Sequence, residues 1–260
     1  MKAPHDAQSN RAAHIPILIT SSITPHDTGV KLVDPQMRLY HAIEAIEHWI
    51  RVAPKAKFVL CDGSNFDFRP IMNERFPKTE IECLYFQNEQ EKIAQYGRGY
   101  GEGEIIQFAL NQSKHLGQAN AFAKCSSKLW VANFTECLKE WQGDSLFSGV
   151  FRNTFSPTKP IEMIQIDTRF YVVKKSFYIE NLCDAHHKIG VTEGFGLEDS
   201  FHLILLAEKQ EKYLFSVPPV IKGVGGGTGK YYKSTWLRIL KERLRTAKIK
   251  QSLEFRNLFN

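Results

Sequence analysis

The chain lacks paired cysteines, long apolar runs and internal repeats, and each absence closes a class of answers. Its five cysteines (Cys61, Cys83, Cys125, Cys137, Cys183) are odd in number, widely spaced and free of any C-x-x-C pair. That pattern excludes a disulfide framework and a zinc ribbon and leaves reduced thiols, mostly in the core. No stretch approaches the roughly 18 apolar residues of a membrane span. Met1 to Arg11 is polar with no apolar signal core, so a cytoplasmic location is expected. Low-complexity segments and recognisable nucleic-acid modules are missing too, and no nucleic-acid partner is expected despite a net charge of +6.

That positive charge is local. Residues 230–260 hold nine Lys or Arg against two Glu, a surplus of seven, whereas the other 229 residues carry 25 basic and 26 acidic groups and sit at −1. With 43% hydrophobic residues in 260, the body can bury a sizeable core. The basic C-terminal stretch, Ser234 to Phe259, reads as one helix with an apolar stripe at Leu237, Leu240, Leu244 and Leu253. Two sharp uses fit it, an anionic membrane surface or nucleic acid, the second well behind, and packing on the body fits as well.

Hydrophobic patterning along the body alternates strand and helix. Ile15 to Ser22 reads as a buried strand ending in hydroxyl residues, and Asp34-Pro35 opens a helix with Leu39, Ile43, Ile46, Trp49 and Ile50 at helical spacing. Lys57–Cys61 and Ile81–Phe86 are further strands, and another runs from Ala121 to Cys125. A helix is expected at Val131–Trp141, a loop through 146–160, a strand at Glu162–Val173, helices at Lys175–His187 and Leu197–Glu208, and a short strand at Tyr213–Val217. This order predicts an α/β fold, a mostly parallel central sheet with helices on both faces, with ligands at the carboxyl ends of the strands. The expected division is a polar arm at 1–13, one domain over 14–230 and the basic helix at 231–260.

Two glycine clusters stand out. Gly97, Gly99, Gly101 and Gly103 precede an apolar helical pattern from Ile105, so a loop with exposed backbone N–H groups at a helix N-terminus, with Arg98 beside it, is one reading. A tight turn capped by Glu102 and Glu104 is the other. Gly223 to Lys230 lacks the Walker spacing, because Val224 and Tyr231 stand where Gly and Ser or Thr are needed, so an NTPase is rejected. The loop can still close over a phosphate, or be a solvated turn. His186 and His187 are given no chemistry, and Cys125 is read as a buried small residue.

Four blocks in this order resemble the GT-A glycosyltransferases of the large inverting group called family two, whose fold is Rossmann-like. They are the first strand with its hydroxyl end, Cys61-Asp62-Gly63-Ser64-Asn65-Phe66-Asp67, Gly97-Arg98-Gly99 leading into a helix and strand, and Gly196-Leu197-Glu198-Asp199-Ser200 opening a helix. The resemblance implies a nucleotide-sugar donor, UDP-linked by default, and a hydroxyl acceptor. A CMP-linked donor would fit a site without a metal, and a surface-glycan or lipid-linked glycan acceptor is inferred only from a small single-domain transferase with a basic tail. The resemblance also implies that Asp62 contacts the base or ribose, that Arg98 with Gly99 lies near base or phosphate, and that Asp199 is the general base with Glu198 beside it. Where that family carries D-x-D, this chain has Cys125-Ser126-Ser127 between Lys124 and Lys128. No carboxylate is there to hold a divalent ion. The expectation is therefore a site requiring no cofactor, in which Lys124, Lys128, Arg98 and Lys230, with Ser126, Gly226 and Thr228, meet the leaving group's charge. A metal recruited through Asp167 is the alternative, although an ion pair with Arg169 explains that residue equally. Two rival functions stay open: nucleotidyl transfer, and non-catalytic binding of a sugar nucleotide.

Overall fold

A computed structural model describes residues 15–139, 141, 145–190, 194–232 and 234–259. The arm expected at 1–13 lies outside them. Four strands, β1 (Ile17–Ser21), β2 (Phe58–Asp62), β3 (Ile81–Tyr85) and β4 (Ala121–Ser126), run parallel, with β1 between β2 and β4. The chain then makes β5 (Leu129–Val131) outside this sheet. It returns through β6 (Ser145–Arg152) and β7 (Glu162–Lys174), which join antiparallel to complete the order β3-β2-β1-β4-β7-β6. Strands β8 (Ile221–Val224) and β9 (Tyr231–Tyr232) pair with β5 in a small antiparallel sheet, order β5-β8-β9. Four longer helices are α1 (Pro35–Val52), α2 (Arg98–Gln112), α3 (Leu197–Ala207) and α4 (Trp236–Lys250).

The α/β fold follows from strands that are apolar on both faces. Ile17, Ile19, Phe58 and Leu60 meet Ala42, Ala45, Ile46 and Trp49 of α1 on one side. Leu18, Val59 and Cys61 meet Ile105, Ile106 and Ala109 of α2 on the other, in a layer that α3 extends over β7, where Phe201 packs 5.7 Å from the ring of Tyr171. Each fully buried large side chain contributes about 1.5–3 kcal/mol, so these two layers outweigh any local helix propensity. The start of α1 is as the sequence predicts: Pro35 stands at its first position, and Asp34 Oδ1 accepts from the amides of Gln36 (2.7 Å) and Met37 (3.2 Å).

Several expectations are corrected. The glycines form no loop: α2 begins at Arg98 and runs through Gly99, Gly101 and Gly103, which are packing positions. A Cβ on Gly103 would lie 2.2–2.5 Å from His186, and one on Gly101 would lie 2.7 Å from Asn88 and Ile93. The helix expected at Val131–Trp141 is only Phe134–Cys137, because Leu129–Val131 pairs with β8 instead. Strand β6 occupies the expected loop, its pairing to β7 broken by two register shifts that hide the period. Tyr213–Val217 makes only isolated bridges, from Leu214 to Phe147 and to Phe259. The last helix stops at Lys250, after which Phe255 and Phe259 turn back into the core.

What this topology does for function is create a crevice. From β1 the chain moves one way to β2 and β3, then crosses to place β4 on the opposite side of β1, so the strand order reverses between β1 and β4. Such a switch point leaves a gap beyond the carboxyl ends of the two strands, where ligands bind in open parallel sheets.

Candidate active site

A cleft of about 380 Å³ occupies that gap. Its floor is Thr20 and Ser21 from the end of β1 and Ser126 from the end of β4, with Thr168 and Arg169 from the adjoining β7. One wall is the first turn of α2, with Arg98, Gly99 and Glu102. The facing wall is Val224 to Thr228, the glycine loop after β8. That loop is closed on itself by the Gly225 amide on Lys230 O (3.0 Å) and the Gly229 amide on Gly225 O (2.7 Å), and Gly227 O accepts from the Lys31 amide (3.1 Å). Gly223 makes the turn into it possible: its φ is +106°, and a Cβ there would lie 2.1 Å from Lys128 O.

Positive charge lines the loop side. Lys128 is 6% exposed, and its Nζ donates to Ser127 Oγ at 3.3 Å and joins no ion pair among the described residues. Burial, then the neighbouring Arg38, lowers its pKa to about 7, against the pull of Asp62 and Glu102. Arg38 is also buried, its Nε donating to Ser22 O (2.8 Å) and its Nη1 to Leu32 O (2.7 Å). Both cations close on Gly226, where a Cβ would stand 3.3 Å from Lys128 Nζ and 3.6 Å from Arg38 Nη1. Arg98 reaches the same loop at Gly227. Its own backbone N–H, the first of α2, donates to Asp27 Oδ2 at 3.1 Å, so a carboxylate of the chain caps this helix.

Carboxylates line the cleft as well, Asp27 among them at 4.0 Å from Arg98 Nη1. Glu198, at the start of α3, accepts from Thr168 Oγ1 at 3.2 Å and faces the cleft. Glu102 pairs with Lys124 at 2.6 Å, yet burial, outweighing that lysine, raises its pKa above the usual carboxylate range.

The expected site residues divide accordingly. Arg98, Gly99, Ser126, Lys128, Gly226, Thr228 and Glu198 come together in the cleft. Asp62 does not line it: the buried carboxylate accepts from Ile23 N (3.1 Å), Ser64 N (2.8 Å), Ser64 Oγ (2.7 Å) and Phe66 N (3.1 Å), which ties the turn after β2 to the segment after β1. Lys124 lies beneath the floor, fully buried, its ammonium divided between Glu102 and Thr168 O (2.8 Å). Lys230 is exposed outside the cleft. Asp199 Oδ2 accepts from the Gly196 amide at 2.8 Å and caps α3. Asp167 is held by Arg169, whose Nε lies 2.8 and 3.0 Å from its two oxygens. Among the described residues, no three His, Cys, Asp or Glu side chains group to hold a metal ion.

No family model matches the chain, and no curated protein does. Among solved structures it is similar to a protein assigned as a nucleotide-diphospho-sugar transferase from Desulfovibrio desulfuricans, with 9% identity over 78% of this chain and 79% of that one at a TM-score of 0.47. It is similar also to the glycosyltransferase GlyE of Streptococcus pneumoniae, with 9% identity over 73% of this chain and 43% of that one at a TM-score of 0.46. A third is the inositol-1-phosphate CTP transferase of T. maritima, with 11% identity over 92% of this chain and 98% of that one at a TM-score of 0.49.

Among the cleft residues that escape a reading of the sequence alone are Arg38, Asp27, Thr168 and Glu102 as a paired rather than a capping acid. Arg38 had a signal. It shares its helix face with Ala42, Ala45, Ile46 and Trp49, all buried, and a charge on a buried stripe requires a purpose.

Proposed function

We propose that this chain moves a sugar from a nucleotide-sugar donor to a hydroxyl, with Lys128, Arg38 and Arg98 meeting the leaving nucleotide and Glu198 receiving the acceptor's proton. The observation that carries the reading is Lys128, a buried ammonium opening on the cleft at the switch point without a counter-ion among the described residues. A buried cation without an anion is costly, and phosphate oxygens beside the Gly225–Thr228 loop would supply the missing charge. The order of the sequence blocks supports the same class.

In this reading the acceptor oxygen forms its bond to the anomeric carbon as the bond from that carbon to the phosphate oxygen breaks. The electron pair leaves on the phosphate, and the acceptor's proton passes to the Glu198 carboxylate. A single displacement of this kind inverts the anomeric configuration. Glu198 is preferred to Asp199 as the base because it faces the cleft, whereas Asp199 is engaged in capping α3. Fixed cations take the role that a divalent ion has in related chemistry, and no cofactor beyond the UDP- or CMP-linked donor is invoked. For the acceptor, a second cavity of about 290 Å³ shares Arg169 and Tyr232 with the first and continues past Phe147, Phe215 and Pro218 toward Arg238. Rings beside cations suit a glycan that carries an acidic group.

Incubation with a panel of UDP- and CMP-sugars, with and without EDTA, separates the alternatives. The expected outcome is release of free nucleotide that EDTA leaves unchanged. Magnesium-dependent pyrophosphate release from CTP or UTP with a sugar phosphate would assign nucleotidyl transfer instead, and nucleotide binding without turnover would assign a binding protein.

A further inference from the structure

Helix α4 presents its apolar stripe to solvent. Trp236, Leu237, Leu240 and Leu244 are between 46% and 70% exposed, and Leu253 beyond the helix end is 78% exposed. The helix is held by its other side, where Ile249 is buried and Ile239, Glu242, Arg245 and Thr246 line the second cavity. At about 100° per residue the four exposed side chains, with Ala247, cover an arc of about 100° centred opposite Ile249 and Glu242. Lys241 and Lys248 fall along one border of that arc, and Lys250 along the other with Arg243, which is paired with Glu136 of the body at 3.0 Å. Phe155, also exposed, extends the apolar surface under the ammonium of Lys248, 5.5 Å from its ring. Isolated apolar residues on a surface need no explanation, but an ordered stripe of this width with cations on both borders does.

We propose that α4 is an interfacial helix that lays this stripe on an anionic phospholipid bilayer. Trp236 and the leucines would enter the boundary between headgroups and acyl chains while the flanking Lys241, Lys248 and Lys250 extend to phosphates and anionic headgroups. Charge argues for this occupant over a second copy of the chain. Stripe-to-stripe pairing would bring two basic borders together, whereas an anionic surface neutralises both. The binding is peripheral, since no helix among the described residues is long and apolar enough to cross a membrane. It stands apart from the transferase reading, because the stripe shares no residue with the cleft.

Flotation of the full chain with vesicles tests the proposal. Vesicles of phosphatidylcholine with one quarter phosphatidylglycerol should carry the protein upward, and vesicles of phosphatidylcholine alone should leave most of it behind. Trp236→Ser combined with Leu240→Ser and Leu244→Ser should lower the bound fraction by about tenfold with an unchanged melting curve, the side chains being exposed. Lys241→Glu with Lys248→Glu should weaken binding to the anionic vesicles only. Equal binding to both vesicle types, no binding to either, or a triple variant that floats like the wild type would overturn it. So would a dimer in sedimentation equilibrium that the triple variant dissolves while vesicles capture nothing.

Discussion

Lys128 and Glu198 line the same cleft with opposite charges, one suited to the leaving phosphate and the other to the acceptor's proton. With burial lowering its pKa to about 7, Lys128 is protonated in both folded and unfolded chains at acid pH. Between that value and the ordinary lysine range the unfolded chain keeps the proton and the folded chain has lost it, so the free protein gains stability as pH rises through this window. A bound phosphate reverses the demand, because it holds the proton on the ammonium. Nucleotide affinity should therefore fall as pH rises above about 7, by at most about tenfold per unit, and Lys128→Met should flatten the profile. Affinity independent of pH in the wild type would remove this lysine from the phosphate site. For the carboxylates, Glu198→Gln is expected to lower kcat by about 10²- to 10⁴-fold with little change in nucleotide Kd. Asp199→Ala should instead keep turnover and lose about 1 kcal/mol of stability with its cap, the acceptor for the Gly196 amide being gone. Steady-state kinetics beside thermal unfolding distinguishes the pair, and the reverse pattern would return the base to Asp199.

At the scale of elements, what the sequence carried was the alternation of buried strands with amphipathic helices. Asp34-Pro35 marks the start of α1 by capping chemistry, and Ile17 to Ser21 reads as a strand because both its faces are buried. The glycines of α2 misled for a physical reason: a glycine kept for backbone freedom and one kept for close packing look alike in sequence. Here the φ of Gly97 is +82°, a true turn position, whereas Gly99, Gly101 and Gly103 sit in helix and let neighbouring side chains approach. Gly103→Ala should thus overpack the contact with buried His186 and cost about 1–3 kcal/mol, read as a lower midpoint in urea. An alanine there that stabilises the chain, as it would in a loosely packed helix, would contradict this packing. The cleft was legible only in part, because its cations come from separate elements. Lys128 and Arg98 belong to quoted motifs, but Arg38 is brought in by the packing of α1, and the tie from Asp62 to Ile23, in the segment after β1, is invisible until the strands are paired.

Across the whole molecule, charge is sorted by purpose. The surplus of seven lies in residues 230–260, where α4 displays it beside an exposed apolar stripe. The body, at −1, concentrates a few buried cations at one point, the switch between β1 and β4. The same C-terminal segment completes the core, since the Leu214 amide donates to Leu258 O at 2.7 Å and Phe255 and Phe259 are buried. One experiment bears most directly on the use of those cations: calorimetric titration of UDP and CMP, in EDTA, into the wild type and into Lys128→Met. The account predicts that at least one nucleotide binds the wild type without metal and that the substitution weakens it by about tenfold or more, the loss of a charge-assisted bond to phosphate. Binding that requires a divalent ion, or that is equally tight in Lys128→Met, would contradict it.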